Sequence, residues 1–550
     1  MTARTATAVR FARAFVVLVL SASYFSHVFN LPAGAPLEAG MADWVDPNFI
    51  NFLLEHWYHS LLTLTNPTSP PMYFPARGTL GYSHGLVLFA PFYLAVRPWL
   101  HPFQAYNATI FLVLTTGTIC FYAIARNFLK LGFVESLLMT AFFASSPNLI
   151  NEPAGIWTQR VSIFLVPPLV LAALKGRRTG LVQDGSTGET RPRYVLGWFA
   201  GLAMALFFLQ DFYSAAFAVL VSSLFLAGAL PLSGFSLARL KSRLTGLGPD
   251  TTYVMALSVG AVMGLAIFAR IYLRAYLEHP SFPQDQLNNA LTTLNGARVD
   301  WQRALRAYGS LRSFELVFAA AVLGWLPWLR VDRTAWRCAV WFAVVSVIVL
   351  AIPLRFVDSS GWDFSVWRTF IAPWPGFSSI RDPKRVIEAY ELAATFLAAL
   401  FLARLPRRSP VRVAMALVVL LLMVTDWNPT IFKFSRPIDV YRRWVEAPIA
   451  IDPSCESFFI KGASDAYMSR SGNMWSLYAM DAMFISLRTS LPTLNGYSAW
   501  WPDGWRLSNP QTPEYPTSVA QWIAQNGLRR VCALDIEART MTPYVAPIQK

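Results

Sequence analysis

Apolar residues in this chain come in runs longer than the core elements of a soluble protein require. Runs of roughly 17 to 25 residues, the length that crosses the hydrocarbon core of a bilayer as an α-helix, occur at 11–30, 104–125, 132–149, 161–175, 194–210, 212–232, 252–275, 313–329, 336–354, 386–403 and 411–428. Each predicts a spanning helix. A twelfth run, at 84–100, is shorter and carries Pro91 and Pro98, which remove backbone donors and break helical continuity. Between the runs lie polar segments of very unequal length, the long ones being 31–103, 150–160, 276–312, 355–385 and 429–550.

Charge decides how the twelfth run is treated. With the N-terminus in the cytoplasm and 84–100 not crossing, every second connector faces the cytoplasm. Those connectors and the N-terminus collect 20 of the 46 Lys and Arg residues, in clusters such as Lys175, Arg177, Arg178, Arg191 and Arg193, or Arg404, Arg407, Arg408 and Arg412. This is a strong positive-inside pattern. Making 84–100 a crossing would place all the later clusters outside, so the segment is expected to be re-entrant or interfacial. Eleven crossings follow, thirteen if a further run is broken, and every long polar segment falls on the non-cytoplasmic side. The expected fold is an α-helical polytopic membrane protein over 1–428, with a long first outer loop at 31–103. An extracytoplasmic α/β domain follows at 429–550, where SVAQWIAQNGLRRVCALDI reads as an amphipathic helix, a Gly stop and a short strand.

Composition agrees with this class. The 550 residues are 55% hydrophobic and only 14% charged. A net charge of +15 would suggest nucleic acid in a soluble protein. Here the cations sit in short connectors and report topology, so no nucleic-acid partner is expected. Arg4, Arg10 and Arg13 before an apolar run could open a signal peptide, but the run continues to Val28 and more spans follow, which favours an uncleaved first helix. Cys120 and Cys338 read as small residues within spans. Cys455 and Cys532 fall in the exported segment and either pair or stay free.

Ionisable groups near the outer boundary of the apolar runs are the candidates for chemistry, because they are costly there. Asp43 and Asp46 lie in the first outer loop, and Asp46-Pro47 opens a juxtamembrane helix at which Asp46 either caps or does chemistry. His56 and His59 share a face of that helix, beside Glu55. This spacing permits a metal, yet no metalloenzyme signature accompanies it, and His59 is the candidate to hydrogen-bond substrate. Arg381, Lys384 and Arg385 precede the run at 386–403, on the side where few cations are expected, and suit phosphate or lipid headgroups. Arg270, with Arg274, forms a second cationic patch at the outer end of its helix. Asp211 sits at the turn between two spans, assisting a site or bonded within the turn. Tyr497, Trp500 and Trp501, together with Asn495 and Trp505, either stack on acceptor sugar rings or pack the exported segment onto the membrane face.

One helix, a long outer loop opening with an acid, many further helices and an exported C-terminal segment resemble the GT-C superfamily of polytopic membrane glycosyltransferases. More narrowly, WVDPNFINFLLEHWYHSLLT, MYFPARGTLGYSHGLVLFAPFYL, PGFSSIRDPKRVIEAYELA and LPTLNGYSAWWPDGW look like bacterial GT-C-like multipass proteins. The resemblance implies an inverting glycosyltransferase in the bacterial inner membrane. It would transfer a sugar from a polyprenyl-phosphate donor to an extracytoplasmic glycan, lipid or protein acceptor. It implies Asp46 as catalytic base or acceptor-orienting group and Arg381 and Arg385 as phosphate ligands, with no cofactor indicated. The tandem acids of some relatives and the WWDYG-like signature of oligosaccharyltransferases are absent, so protein N-glycosylation is not expected. The alternatives are a non-catalytic envelope-assembly protein and a lipid-linked glycan transporter, the latter expected to carry inverted repeats and charges at mid-membrane.

Overall fold

The computed structural model describes residues 3–31, 34–41, 45–150, 158–178, 191–232, 249–279, 287–288, 291–295, 310–325, 333–358, 360–407, 409–425, 432, 434–462 and 476–545. Asp43, the basic connectors around 179–190 and 233–248, and most of 276–312 lie outside these residues. Within them every one of the eleven apolar runs contains a helix. In chain order the elements are α1 (Ala3–Val28), β1 (Ala39–Met41), α2 (Asp46–Thr63), α3 (Ala90–Val96), α4 (Pro102–Asn127) and α5 (Phe133–Ala144). The 3-10 stretch Thr158–Leu165 leads into α6 (Val166–Arg178), then come α7 (Arg191–Gln210), α8 (Phe212–Leu232), α9 (Pro249–Glu278), β2 (Thr292–Asn295), α10 (Arg312–Trp325) and α11 (Arg333–Ala351). The chain continues with β3 (Leu354–Val357), β4 (Asp363–Ser365), α12 (Val386–Arg404), α13 (Pro410–Thr425), β5 (Phe434–Pro437), β6 (Ala450–Ile451) and β7 (Ser457–Ile460). It closes with α14 (Ser476–Thr489), α15 (Tyr515–Gln525), β8 (Val531–Asp535) and β9 (Thr540–Pro543).

Four helical stretches, Pro102–Asn127, Thr158–Gly176, Thr251–Glu278 and Pro383–Arg404, are long and apolar enough to cross a membrane, and most of the other predicted spans coincide with shorter apolar helices. The run at 84–100 is broken. Its helix α3 has seven residues, about 10 Å of rise, too short to cross.

The helices are held by two different means. Gly197 and Gly201 on α7 and Gly260 and Gly264 on α9 are each four apart. A Cβ on Gly201 would collide with the carbonyl oxygen of Leu257, and one on Gly260 with that of Trp198. The two backbones therefore touch, as small-residue pairs allow. The opposite face of α9 presents Val259, Val262, Leu265 and Leu273 outward. Helix α12, by contrast, packs against α5, α8, α10 and α11, and it buries Glu388 and Glu391 together with its apolar side chains.

Three small sheets complete the fold. β1 pairs antiparallel with β5, β2 pairs parallel with β3 and β3 antiparallel with β4, and the last four strands run in the order β6-β9-β8-β7. β7 and β8 are parallel and nearly fully buried. Cys455 and Cys532 are joined in a disulfide. The C-terminal segment does not keep its core to itself: Phe52 and Tyr73 share one continuous buried cluster with Tyr478, Phe484 and Trp505. Backbone bonds Tyr73 N to Asn495 O (3.2 Å), Phe74 N to Thr493 O (3.0 Å) and Trp500 N to Tyr82 O (3.2 Å) stitch it to the loop after α2.

Candidate active site

Asp211 lies at the junction of α7 and α8, where helix amides without intrahelical partners demand an acceptor. Its carboxylate accepts from the Tyr213 amide at 3.2 Å and from the Ser214 hydroxyl at 2.6 Å, the arrangement of a helix cap. The turn reading of this acid is thus satisfied. The same oxygen that caps the helix also faces His84, whose Nδ1 is 3.2 Å away.

His84 is fixed by its neighbours. Gly85 N donates to Leu209 O (2.7 Å), Leu88 N and Phe89 N both donate to Gln210 Oε1 (2.9 and 3.1 Å), and the Tyr272 hydroxyl of α9 donates to Ser83 O. The Gly85 carbonyl in turn accepts from the indole of Trp57 on α2 at 2.7 Å. Segment 83–89 is therefore bolted to the α7–α8 junction on one side and to α2 on the other. The His84 side chain is 19% exposed. Burial pushes its pKa below the usual histidine value; Asp211 and Asp46 pull the other way, while Arg385 and Arg381 add to the push. A carboxylate can only accept, so in a neutral ring Nδ1 is the nitrogen placed to carry the proton, which leaves Nε2 as an acceptor. Nothing among the described residues hydrogen-bonds Nε2.

Asp46 is the first residue of α2. Oδ1 accepts from the Tyr497 hydroxyl at 2.7 Å, and the Tyr497 ring packs edge-on against Phe49 at 5.6 Å. A residue near the end of the chain thereby completes the environment of the first-loop acid.

The loop before α12 supplies the cations. Arg381 N donates to the Tyr213 hydroxyl at 3.2 Å, which docks the loop on α8, and the Arg381 side chain is exposed. Arg385 is buried with its guanidinium 4.8 Å over the Tyr213 ring and its Nε 3.6 Å from Asp382. Asp382 also accepts from Arg160 at 3.0 Å, and Arg160 reaches Glu388 at 3.0 Å. Arg385 is thus built into an Arg160–Asp382–Arg385 chain, whereas Arg381 is exposed and Lys384 half-buried at its rim.

Asp46, Asp211, Arg381 and Arg385 all lie close enough to His84 to act on its charge, Tyr497 is bonded to Asp46, and Lys384 precedes Arg385 in the same loop. Three other candidates have the following surroundings. His59 stands thirteen residues along α2 from Asp46, about 20 Å by helical rise, and its contacts are with Thr63 on the same helix. Arg270 is exposed on α9. Trp500 is occupied by His279, stacked at 4.6 Å and 12°, and Tyr497 belongs to Asp46, so of the three aromatics only Trp501, 49% exposed, offers an open face. Glu55, His56 and His59 do not converge either. Glu55 pairs with Arg97 at 2.7 Å. His56 points at Pro67 O (3.0 Å), and burial holds its pKa down at about 4. Among the described residues no three His, Cys, Asp or Glu side chains are grouped to hold a metal ion.

His84, Arg160, Asp382, Tyr213 and Glu388 were not anticipated. A signal existed for two of them. Asp382-Pro383 repeats the Asp-Pro pair of Asp46-Pro47, and His84 interrupts an apolar run just before a glycine. A scan of the chain against protein-family models finds no match, and neither does a search of curated proteins.

Proposed function

We propose that the chain is an inverting membrane glycosyltransferase of the GT-C kind, moving a sugar from a polyprenyl-phosphate donor to a glycan, lipid or protein acceptor on the extracytoplasmic side of a bacterial inner membrane. The observation that carries this reading is the convergence of an acid from α2, an acid and imidazole at the α7–α8 junction, and cations from the loop before α12. Acceptor hydroxyls need a base or an orienting acid, and a departing lipid phosphate needs cations. Asp46 orients the acceptor with the carboxylate oxygen that Tyr497 leaves open. Arg381 and Lys384 meet the phosphate, and Arg385 holds Asp382 and the Tyr213 ring in place behind them. The outward apolar face of α9 supports a lipid surround, and the Cys455–Cys532 disulfide supports an oxidising compartment.

A second reading, a non-catalytic envelope-assembly protein, is favoured by the internal pairing of Arg160, Asp382 and Arg385, which neutralises charge that a substrate would otherwise use. Purified protein in lipid nanodiscs, incubated with radiolabelled polyprenyl-phosphate sugars and membrane acceptors, separates the two. Transfer that falls roughly 10²- to 10⁴-fold in Asp46→Asn, with a raised KM for donor in the Arg381→Ala, Lys384→Ala double variant, supports the enzyme. Asp46→Asn transferring at the wild-type rate removes the acid from the mechanism, and a wild type inert toward every donor favours the assembly reading.

A further inference from the structure

We propose that His84, oriented by Asp211, is the group that takes the proton of the acceptor hydroxyl, with Asp46 orienting that hydroxyl. The inference rests on the glycosyl-transfer reading and deepens its chemistry.

The geometry is that of a base with its orienter. Asp211 is fully buried, is fixed by the Tyr213 amide and the Ser214 hydroxyl, and lies 3.2 Å from His84 Nδ1. It can hold the imidazole in one tautomer and stabilise the cation formed on protonation, the role a buried acid plays behind a catalytic histidine. The backbone on either side of His84 is tied to α7, α2 and α9 by six hydrogen bonds, so the ring stays where it is put. Among the described residues Nε2 has no hydrogen-bond partner. Asp46 differs: one of its oxygens already receives the Tyr497 hydroxyl.

The groups facing the ring are Asp211 and Tyr213 from the α7–α8 junction, Asp46 from α2, Tyr272 from α9, and Arg381 and Arg385 from the loop before α12. Two carboxylates offset two guanidiniums, which neither trap a proton on the imidazole nor forbid one. In the transfer step the acceptor O–H bond breaks as its oxygen bonds the anomeric carbon. The proton passes to Nε2, and the anomeric C–O bond to the lipid phosphate breaks with its electron pair leaving on the phosphate. The imidazolium then returns its proton to water.

The neutral ring is the active form, so turnover rises with pH through the His84 ionisation and is flat above it. His84→Ala in nanodiscs should lose kcat by 100-fold or more, keep its KM for donor within about threefold, and regain activity on adding imidazole, with the rescue increasing as free imidazole deprotonates. His84→Gln should lose kcat similarly without rescue. Activity of His84→Ala within threefold of wild type, or a loss that imidazole does not relieve, overturns the proposal while leaving the transferase reading intact. A wild type that turns over no donor sinks the transferase reading, and this inference with it. One readout does not need turnover. In spectra of ¹⁵N-histidine-labelled protein, with His84→Gln used for assignment, His84 should show a protonated Nδ1 and a bare Nε2 at pH 7, and the opposite tautomer overturns the proposal.

Discussion

Helices α9 and α12 are both long and apolar, yet they occupy opposite environments. Of the apolar stretch of α9 only 11% is buried in the protein, against 72% for the stretch ending in α12. In water the more buried helix would be the less polar one. Here the order is reversed: the outer helix turns Val, Leu and Met outward, and the inner one carries Glu388 and Glu391. That inversion is what a lipid surround selects, since lipid accepts apolar side chains at no cost and charge survives only where protein pairs it. The acids of α12 are well provided for. Glu391 accepts from Ser146 (3.0 Å), Asn148 (2.8 Å) and Ser313, and Arg312, which donates to Phe142 O and lies 4.4 Å over the Phe142 ring, stands beside it.

The largest effect expected from breaking this contrast is therefore at the centre. Glu391→Ala strips three donors of their acceptor and removes the acid beside Arg312, and each buried donor left unsatisfied costs about 1–3 kcal/mol. Its thermal unfolding in detergent should show a large fall in midpoint. Glu391→Gln, which keeps an acceptor, should recover more than half of it. Equal midpoints for Glu391→Ala and wild type would mean the inner acids do nothing for the fold. The next effect is at the periphery. Val262 is 67% exposed near the middle of α9, and Val262→Lys should cost about 2.5–3.5 kcal/mol in a membrane-insertion assay if that face meets lipid. If the face meets water the change should lie within about ±0.5 kcal/mol, and the comparison between the two helices would lose its physical basis.

Much of this organisation was legible in the sequence, and the reason differs from element to element. The eleven helices were legible because each is encoded by its own run, and the broken helix at 84–100 was foreshadowed by Pro91 and Pro98. Asp46, Asp211, Arg381 and Arg385 stood out as ionisable groups at the ends of apolar runs. The partners were not legible. Arg160 meets Asp382 across 222 residues and Asp46 meets Tyr497 across 451, and no local pattern encodes such distances. Spacing misled at His59, since a three-residue interval shows that two side chains share a face of α2 but not what the face looks onto. His84 was hidden by being read as part of the apolar segment it opens. The pairing of Cys455 with Cys532 depended on strands β7 and β8 lying side by side, which the spacing of two cysteines leaves open.

The smallest effect sharpens the contrast most, because it concerns what holds α9 in place at all. Its outer face has no protein partner among the described residues. In a bilayer apolar burial alone would not hold it either, because lipid would compete for the same side chains on equal terms. What remains is the close approach of backbones at Gly197, Gly201, Gly260 and Gly264. Gly201→Leu would drive a side chain into the Leu257 carbonyl and force α7 and α9 apart, costing roughly 1–3 kcal/mol as overpacking does. Gly201→Ala should cost less, its single methyl needing a smaller separation. Since Tyr272 of α9 bonds Ser83 beside the candidate base, the displacement should also lower transfer activity without touching any group that meets substrate. The unfolding midpoint and the transfer rate should fall together from Gly to Ala to Leu. If Gly201→Leu leaves both unchanged, α9 is held by something other than backbone contact, and its exposed face has to be explained by a surrounding other than lipid.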